Sequence, residues 1–120
     1  IVASRELVDE NPEAVQKLVD AWYLTLEYME QNPEESLEIL ARVAETTTDE
    51  YLEFADGTTL FSAEEALAAF DDGADTTSLP YTASLINPFL VDSGFTEGEA
   101  SLEGLFDSSF TASYVERMGE

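Results

Sequence analysis

The sequence predicts a mainly α chain, a cluster of six or seven helices with at most one short strand at the N-terminus. Three observations carry this. Apolar residues recur every three or four positions over long stretches. The tripeptide Asn-Pro-Glu occurs twice, at Asn11 and Asn32, each time opening such a stretch. Boxes of the form Thr/Ser-x-x-Glu open two shorter stretches that glycines then close.

Ile1-Val2-Ala3-Ser4 reads as the end of a β-strand already under way, and a lone strand needs ladder partners. Those partners are expected upstream, so the sequence is read as a fragment of a longer parent. Arg5 to Asp9 fits a short turn or helix. From about 12 to 30 runs a long helix. Asn11 is placed to accept an amide of its first turn, Pro12 sits where no N–H is needed, and Glu13 lies near the positive end of the dipole. Val15, Leu18, Val19, Trp22, Leu26 and Met29 form its apolar face, with Trp22 directed to the core and Tyr23 or Tyr28 to a flank. Asn32-Pro33-Glu34 repeats the signal for a helix over 33–45, with Leu37, Leu40, Ala41 and Ala44 on its inner side.

Thr47-Thr48-Asp49-Glu50 is a capping box for a helix over 48–56 that carries Tyr51, Leu52 and Ala55 and stops at Gly57. Ser62-Ala63-Glu64-Glu65 is a second box, for a helix over 63–71 with Ala66, Leu67 and Phe70 inward and Gly73 as its stop. Residues 71 to 78 are polar and without period. An apolar run over 80–93 predicts a further helix ending at Gly94, and Pro88 inside it should kink it or split it after Leu85. Leu102, Leu105 and Phe106 have the spacing of one helical turn. Residues 108–118 read as a closing helix with Phe110, Tyr114 and Val115 inward.

Composition excludes several functions. The apolar fraction, 44%, is that of a folded chain of one domain or a piece of one. No apolar run is long enough to cross a bilayer. Without Cys or His there are no thiolate or common zinc sites, no disulfides and no imidazole catalysis. A net charge of −23, from 27 acids and four basic residues, repels nucleic acid and anionic membrane. Three accounts of that charge stand: a solubilising surface, adaptation to a saline medium, or a cationic partner. Stability that climbs steeply with NaCl marks the second.

The order of motifs resembles the C-terminal part of a bacterial substrate-binding protein of the nitrate/sulfonate/taurine type, a periplasmic binding protein type II serving ABC importers. The resemblance runs through Val2-Ala3-Ser4, Asn11-Pro12-Glu13-Ala14-Val15, Ala21-Trp22-Tyr23, Glu27-Tyr28 and Asn32-Pro33-Glu34-Glu35. It continues through Gly57-Thr58-Thr59-Leu60-Phe61-Ser62, Thr76-Thr77-Ser78-Leu79 and Leu105-Phe106-Asp107, and so covers nearly the whole chain. It implies a two-lobe α/β parent that closes on a small solute such as an oxyanion or sulfonate, then docks on a membrane permease. In such proteins the C-terminal helices pack on the lobes, and earlier strand-to-helix turns make most ligand contacts. Pro88 departs from the pattern, since similar proteins run a continuous helix there.

Candidate chemistry is sparse. Asp71-Asp72-Gly73-Ala74-Asp75 resembles half of a calcium loop but lacks the alternating oxygens and closing Glu of an EF-hand, so a solvated helix end is the better reading. Ser62, Ser78 and Ser108 stand at helix caps with no His to activate them. No glycine-rich phosphate cradle exists. No carboxylate pair among the 27 acids stands out for acid–base work. Tyr81, beside the polar loop, is the one aromatic held open as a ligand-facing residue. No catalytic residue, metal or cofactor is expected. The functional expectation is a part of an extracytoplasmic solute-binding protein, with the parent's upstream lobes, a permease and a solute as partners. The alternative is a free-standing acidic helical interaction module. An enzyme comes third.

Overall fold

A computed structural model of the chain describes residues 1–118 and contains seven helices, with no strand among those residues. They are α1 (Arg5–Glu10), α2 (Pro12–Gln31), α3 (Pro33–Val43), α4 (Thr48–Ala55), α5 (Ala63–Ala68), α6 (Leu79–Asp92) and α7 (Ser109–Met118). The mainly α class stands, and the six expected helices lie within a turn of their expected bounds. The strand end expected over 1–4 does not form, because no ladder partner lies beside it. Ser4 caps α1 instead, its hydroxyl accepting the Leu7 amide at 3.2 Å. No helix among the described residues is long and apolar enough to cross a membrane.

The chain divides into two compact units, Ile1–Ser62 and a second that begins at Ala63. In the first, α2 packs against α1 and α3, and α3 against α4. Two single-residue corners set this arrangement. Asn11 has φ −138° and ψ 55°, and Asn32 has φ −132° and ψ 60°. A residue before proline is disfavoured in the helical region, and at these two positions each Asn leaves it, ending one helix as Pro12 or Pro33 starts the next. Neither side chain caps the following helix as the sequence suggested. Both Asn residues close the preceding helix instead. The Asn11 amide donates to Leu7 O at 2.9 Å, and the Asn32 amide and side-chain Nδ2 both donate to Tyr28 O, at 2.9 and 3.0 Å. Across the second corner the Tyr28 hydroxyl donates to Glu35 at 2.7 Å.

The buried stripe of α2 is Val15, Val19 and Tyr23. This corrects the expected face: Trp22 is 44% exposed and Tyr23 only 7%. Both stripes are apolar, and α1 and α3 cover the one that carries Tyr23. On α3 the covered positions are Ser36 and Ala41, with Leu37 and Leu40 half-buried and Ala44 exposed. Ser36 fits where the helices meet, and its buried hydroxyl has no hydrogen-bond partner.

α3 ends in a Schellman motif, with Thr46 N donating to Ala41 O at 3.0 Å and Glu45 N to Arg42 O at 3.2 Å. Its left-handed position, usually glycine, is Glu45 at φ 56°. The capping box of α4 forms as read, on Thr47. Glu50 N donates to the Thr47 hydroxyl, while Glu50 Oε2 accepts from Thr47 N at 3.1 Å and from the hydroxyls of Thr46 and Thr47, both at 2.8 Å. These donors hold the Glu50 carboxyl below its ordinary pKa, the Thr47 amide contributing most.

In the second unit α5 packs on α7, and Tyr114 is the largest fully buried side chain. Ala63, Ala69 and Thr111 are also buried, while Ala66, Leu67, Phe70, Phe110 and Val115 are half-buried. Leu102 to Leu105 is a hydrogen-bonded turn rather than a helix, with Gly104 at φ 66°.

Candidate interaction face

The one helix of the second unit without another packed along it to the extent of α5 on α7 is α6. Loops at both ends hold it. At the start, Ser78 is buried; its hydroxyl accepts the Tyr81 amide at 3.3 Å and donates to Asp71 O at 2.9 Å. The next amide, of Leu79, donates to Ala69 O at 2.8 Å. Gly73 permits this closure, because a Cβ there would lie 2.7 Å from Ser78 Cβ. Gly73 is therefore a close-approach glycine and not the expected helix stop, since α5 already ends at Ala68.

Pro88 lacks the N–H that would pair with the carbonyl of Ser84, a loss of about 3 kcal/mol in a helix interior. Yet α6 runs unbroken from Leu79 to Asp92, so the split expected after Leu85 does not occur. The residue before the proline shows how the helix is held. Asn87 is buried; its Nδ2 donates to Ala100 O at 2.8 Å, and its Oδ1 accepts the Ala100 amide at 2.9 Å. Past Asp92 a second Schellman motif closes the helix, with Phe95 N on Leu90 O at 2.9 Å, Gly94 N on Val91 O at 3.0 Å, and Gly94 at φ 73°. Motif reading missed the Asn87 anchor. The signal was one amide side chain inside the apolar run Leu85-Ile86-Asn87-Pro88-Phe89.

Opposite Asn87, α6 leaves an apolar face open. Leu79, Leu85, Ile86 and Phe89 are all exposed, Phe89 at 60%. At 100° per residue they share an arc of roughly 120°, and they span about 15 Å of helix. Asp92 falls at the edge of the same arc. Phe95, 75% exposed, follows just beyond the helix end. The first unit has a counterpart in Leu18 and Trp22 on α2, with Leu52 and Phe54 exposed on α4.

The sequence-stated candidates take these places. Tyr81 lies half-buried in the first turn of α6, one turn before Leu85 and beside the open face. Its backbone caps and is capped, its amide bound by Ser78 and its carbonyl accepting from the Ser84 hydroxyl at 2.7 Å. Ser78 is a cap, as read, with its hydroxyl engaged twice. Asp71, Asp72 and Asp75 do not gather: among the described residues no three His, Cys, Asp or Glu side chains are placed to hold a metal ion. Asp75 instead folds its own loop, accepting from the Thr77 hydroxyl and from the Thr77 amide at 2.9 Å. Those two donors, the hydroxyl first, hold its carboxyl below the ordinary value.

The arrangement has parts of a contact surface: a helix tied by the buried Ser78 and Asn87, with exposed apolar side chains on one side and the half-buried Thr82 among them. No protein-family model, curated protein or solved structure matches the chain.

Proposed function

We propose that this chain is part of an extracytoplasmic solute-binding protein that delivers a small solute, such as an oxyanion or sulfonate, to an ABC importer. In that role its helices are supporting elements that pack on the rest of the parent, and they carry no catalysis. The observation behind this reading is that helices of both units leave apolar side chains uncovered, Leu18 and Trp22 in one and Leu85, Ile86 and Phe89 in the other. A self-sufficient module buries such faces against its own elements, whereas a piece of a larger protein leaves them for its neighbours. The motif order supplies the identity of the parent. On this reading the parent lies on the outer side of the cytoplasmic membrane, with the permease and solute as its partners. Tyr81 is the residue here proposed to reach the solute.

The test is an immunoblot of fractionated cells with an antibody against these 120 residues. A band several-fold larger, in the periplasmic or lipid-anchored fraction, is expected. A band of the fragment's own size in the cytosol overturns the reading. In the full-length parent, Tyr81→Ala should weaken solute binding, and an unchanged Kd removes Tyr81 from the site.

The charge of −23 favours a second reading, an acidic helical module that binds partner proteins directly. The cytosolic, fragment-sized band is its expected result.

A further inference from the structure

We infer that Asp56 is a site of spontaneous isomerisation to isoaspartate, by ring closure with the Gly57 amide nitrogen, and that the fold withholds the same reaction from Asp72. The chemistry does not depend on the proposed function. The sequence narrows the candidates first. Ring closure needs a carboxyl or amide carbon at Cγ and a following residue whose nitrogen carries a hydrogen and stands unhindered. Each of the three asparagines precedes a proline, which has no N–H, so none can close the ring in this way. Two aspartates precede glycine, Asp56 and Asp72, and glycine has no Cβ to obstruct its nitrogen.

The reaction is a dehydration followed by a hydration. The Gly57 nitrogen attacks Cγ of the neutral Asp56 carboxyl. A C–N bond forms, a C–O bond breaks, and the amide proton and the hydroxyl leave as water. Water then opens the resulting five-membered succinimide at either carbonyl. Opening at the side-chain carbonyl restores aspartate. Opening at the main-chain carbonyl leaves the backbone running through Cγ and frees the α-carboxylate, which is isoaspartate. Water is the sole co-reactant.

The structure separates the two sites. The peptide must first swing until its nitrogen faces Cγ, so the rate follows local freedom. Asp56, at φ −59° and ψ 129°, and Gly57, at φ 82°, are the central residues of a type II turn just after α4. One hydrogen bond closes that turn, from Thr58 N to Ala55 O at 2.9 Å. Among the described residues the Gly57 amide has no hydrogen-bond partner, and a Cβ on Gly57 would meet nothing within 4 Å. Every residue from 56 to 62 is exposed. Asp72 is exposed too, but the chain on either side of it is fixed. The Asp71 carbonyl accepts from the buried Ser78 hydroxyl at 2.9 Å, and Gly73 lies so close against Ser78 that no Cβ fits. Swinging the peptide between Asp72 and Gly73 would break that closure.

The product adds one methylene to the main chain between α4 and α5. It also presents a free α-carboxylate, the group that an isoaspartyl carboxyl methyltransferase methylates with S-adenosylmethionine, and that enzyme serves as the probe.

The test incubates the 120-residue chain in neutral buffer at physiological temperature for several weeks, with and without guanidinium chloride. Isoaspartate is counted by methyltransferase labelling and located by mass spectrometry after chymotryptic digestion. Cleavage after Phe54, Phe61 and Phe70 puts Asp56 and Asp72 in separate peptides. In the folded chain isoaspartate should accumulate at Asp56 roughly tenfold faster than at Asp72. In denaturant the two rates should converge. Asp56→Glu, whose ring would have to be six-membered, should remove most of the methyl-accepting sites and keep the wild-type circular dichroism. Equal rates at the two sites of the folded chain, or a faster Asp72, overturn the inference. So does a folded chain that forms no isoaspartate at Asp56, a rate gap that persists in denaturant, or undiminished labelling of Asp56→Glu.

Discussion

Asn87 and Ala100 are joined twice, the Asn87 amide group giving one hydrogen bond to the Ala100 backbone and taking one from it. A side chain here does the work of a strand partner, satisfying both polar groups of one peptide position. Replacing Asn87 by Ala should destabilise the second unit by about 1–3 kcal/mol, the cost of unpairing partly buried groups. Amide exchange at Ala100 should quicken by at least tenfold; unchanged protection would show that the loop is held by something else.

Gly73 and Gly98 offer a matched pair. Gly73→Ala drives a Cβ to within 2.7 Å of Ser78 Cβ and should strain the Ser78 cap, costing about 1–3 kcal/mol. Gly98→Ala meets nothing within 4 Å and should be neutral, or stabilise by up to about 1 kcal/mol through the unfolded chain. Thermal denaturation of the two variants checks the contrast.

The two Schellman motifs predict opposite signs at equivalent positions. Glu45, at φ 56°, holds a conformation that costs an L-residue about 1 kcal/mol, so Glu45→Gly should raise stability by up to that amount. Gly94→Ala should lower it by about 1–2 kcal/mol. Urea midpoints measure both.

The Glu50 box makes α4 sensitive to acid. Its carboxyl is held below the ordinary value by donors present only in the folded chain. The box therefore contributes in full above the ordinary glutamate pKa of about 4.3, and that contribution is lost as pH falls through the depressed value. Tyr28 behaves in the opposite sense. Its bond to Glu35 raises the phenol above its ordinary value, so its contribution is present below the ordinary tyrosine pKa and lost as pH rises through the raised one. NMR titration of Glu50 and Tyr28 should show a low and a high midpoint, and Glu50→Gln should flatten the acid limb.

Ser36 gives the simplest test of packing. Its buried hydroxyl lacks a partner, so Ser36→Ala should stabilise the first unit by about 1 kcal/mol. A loss of stability would mean that the hydroxyl is satisfied in solution.

Helix positions were legible because local chemistry fixes them: Pro12 and Pro33 start helices, Glu50 completes a box, and Gly94 ends α6. Which face each helix buries was less legible. The apolar arc of α2 is wide enough to offer Trp22 or Tyr23 to a neighbour, and only the placement of α1 and α3 selects Tyr23. The Asn corners failed as caps for a readable reason. Ser4, Thr47 and Ser78 accept from their helices with ψ of 149°, 161° and 126°, whereas Asn11 and Asn32 are held near 60°. Each Asn is also the last link of the helix before, and its backbone serves that helix. The open face of α6 was legible as an apolar run, but its exposure was not, since exposure depends on what packs beside it. Tyr81 was singled out by type and neighbourhood alone, and the fold places it beside that face.

The Asn11 and Asn32 corners bear on how this chain can change length over evolution. Each joins two helices through a single residue, so the corner has no slack. One residue inserted before Pro12 would turn α2 by about 100° relative to α1, carrying Val15, Val19 and Tyr23 out of their contacts. The connection between α6 and α7 is longer, and an added residue there can be taken up without turning either helix. Relatives of this chain should therefore vary in length after α6 and keep the helix–Asn-Pro–helix spacing of the first unit fixed.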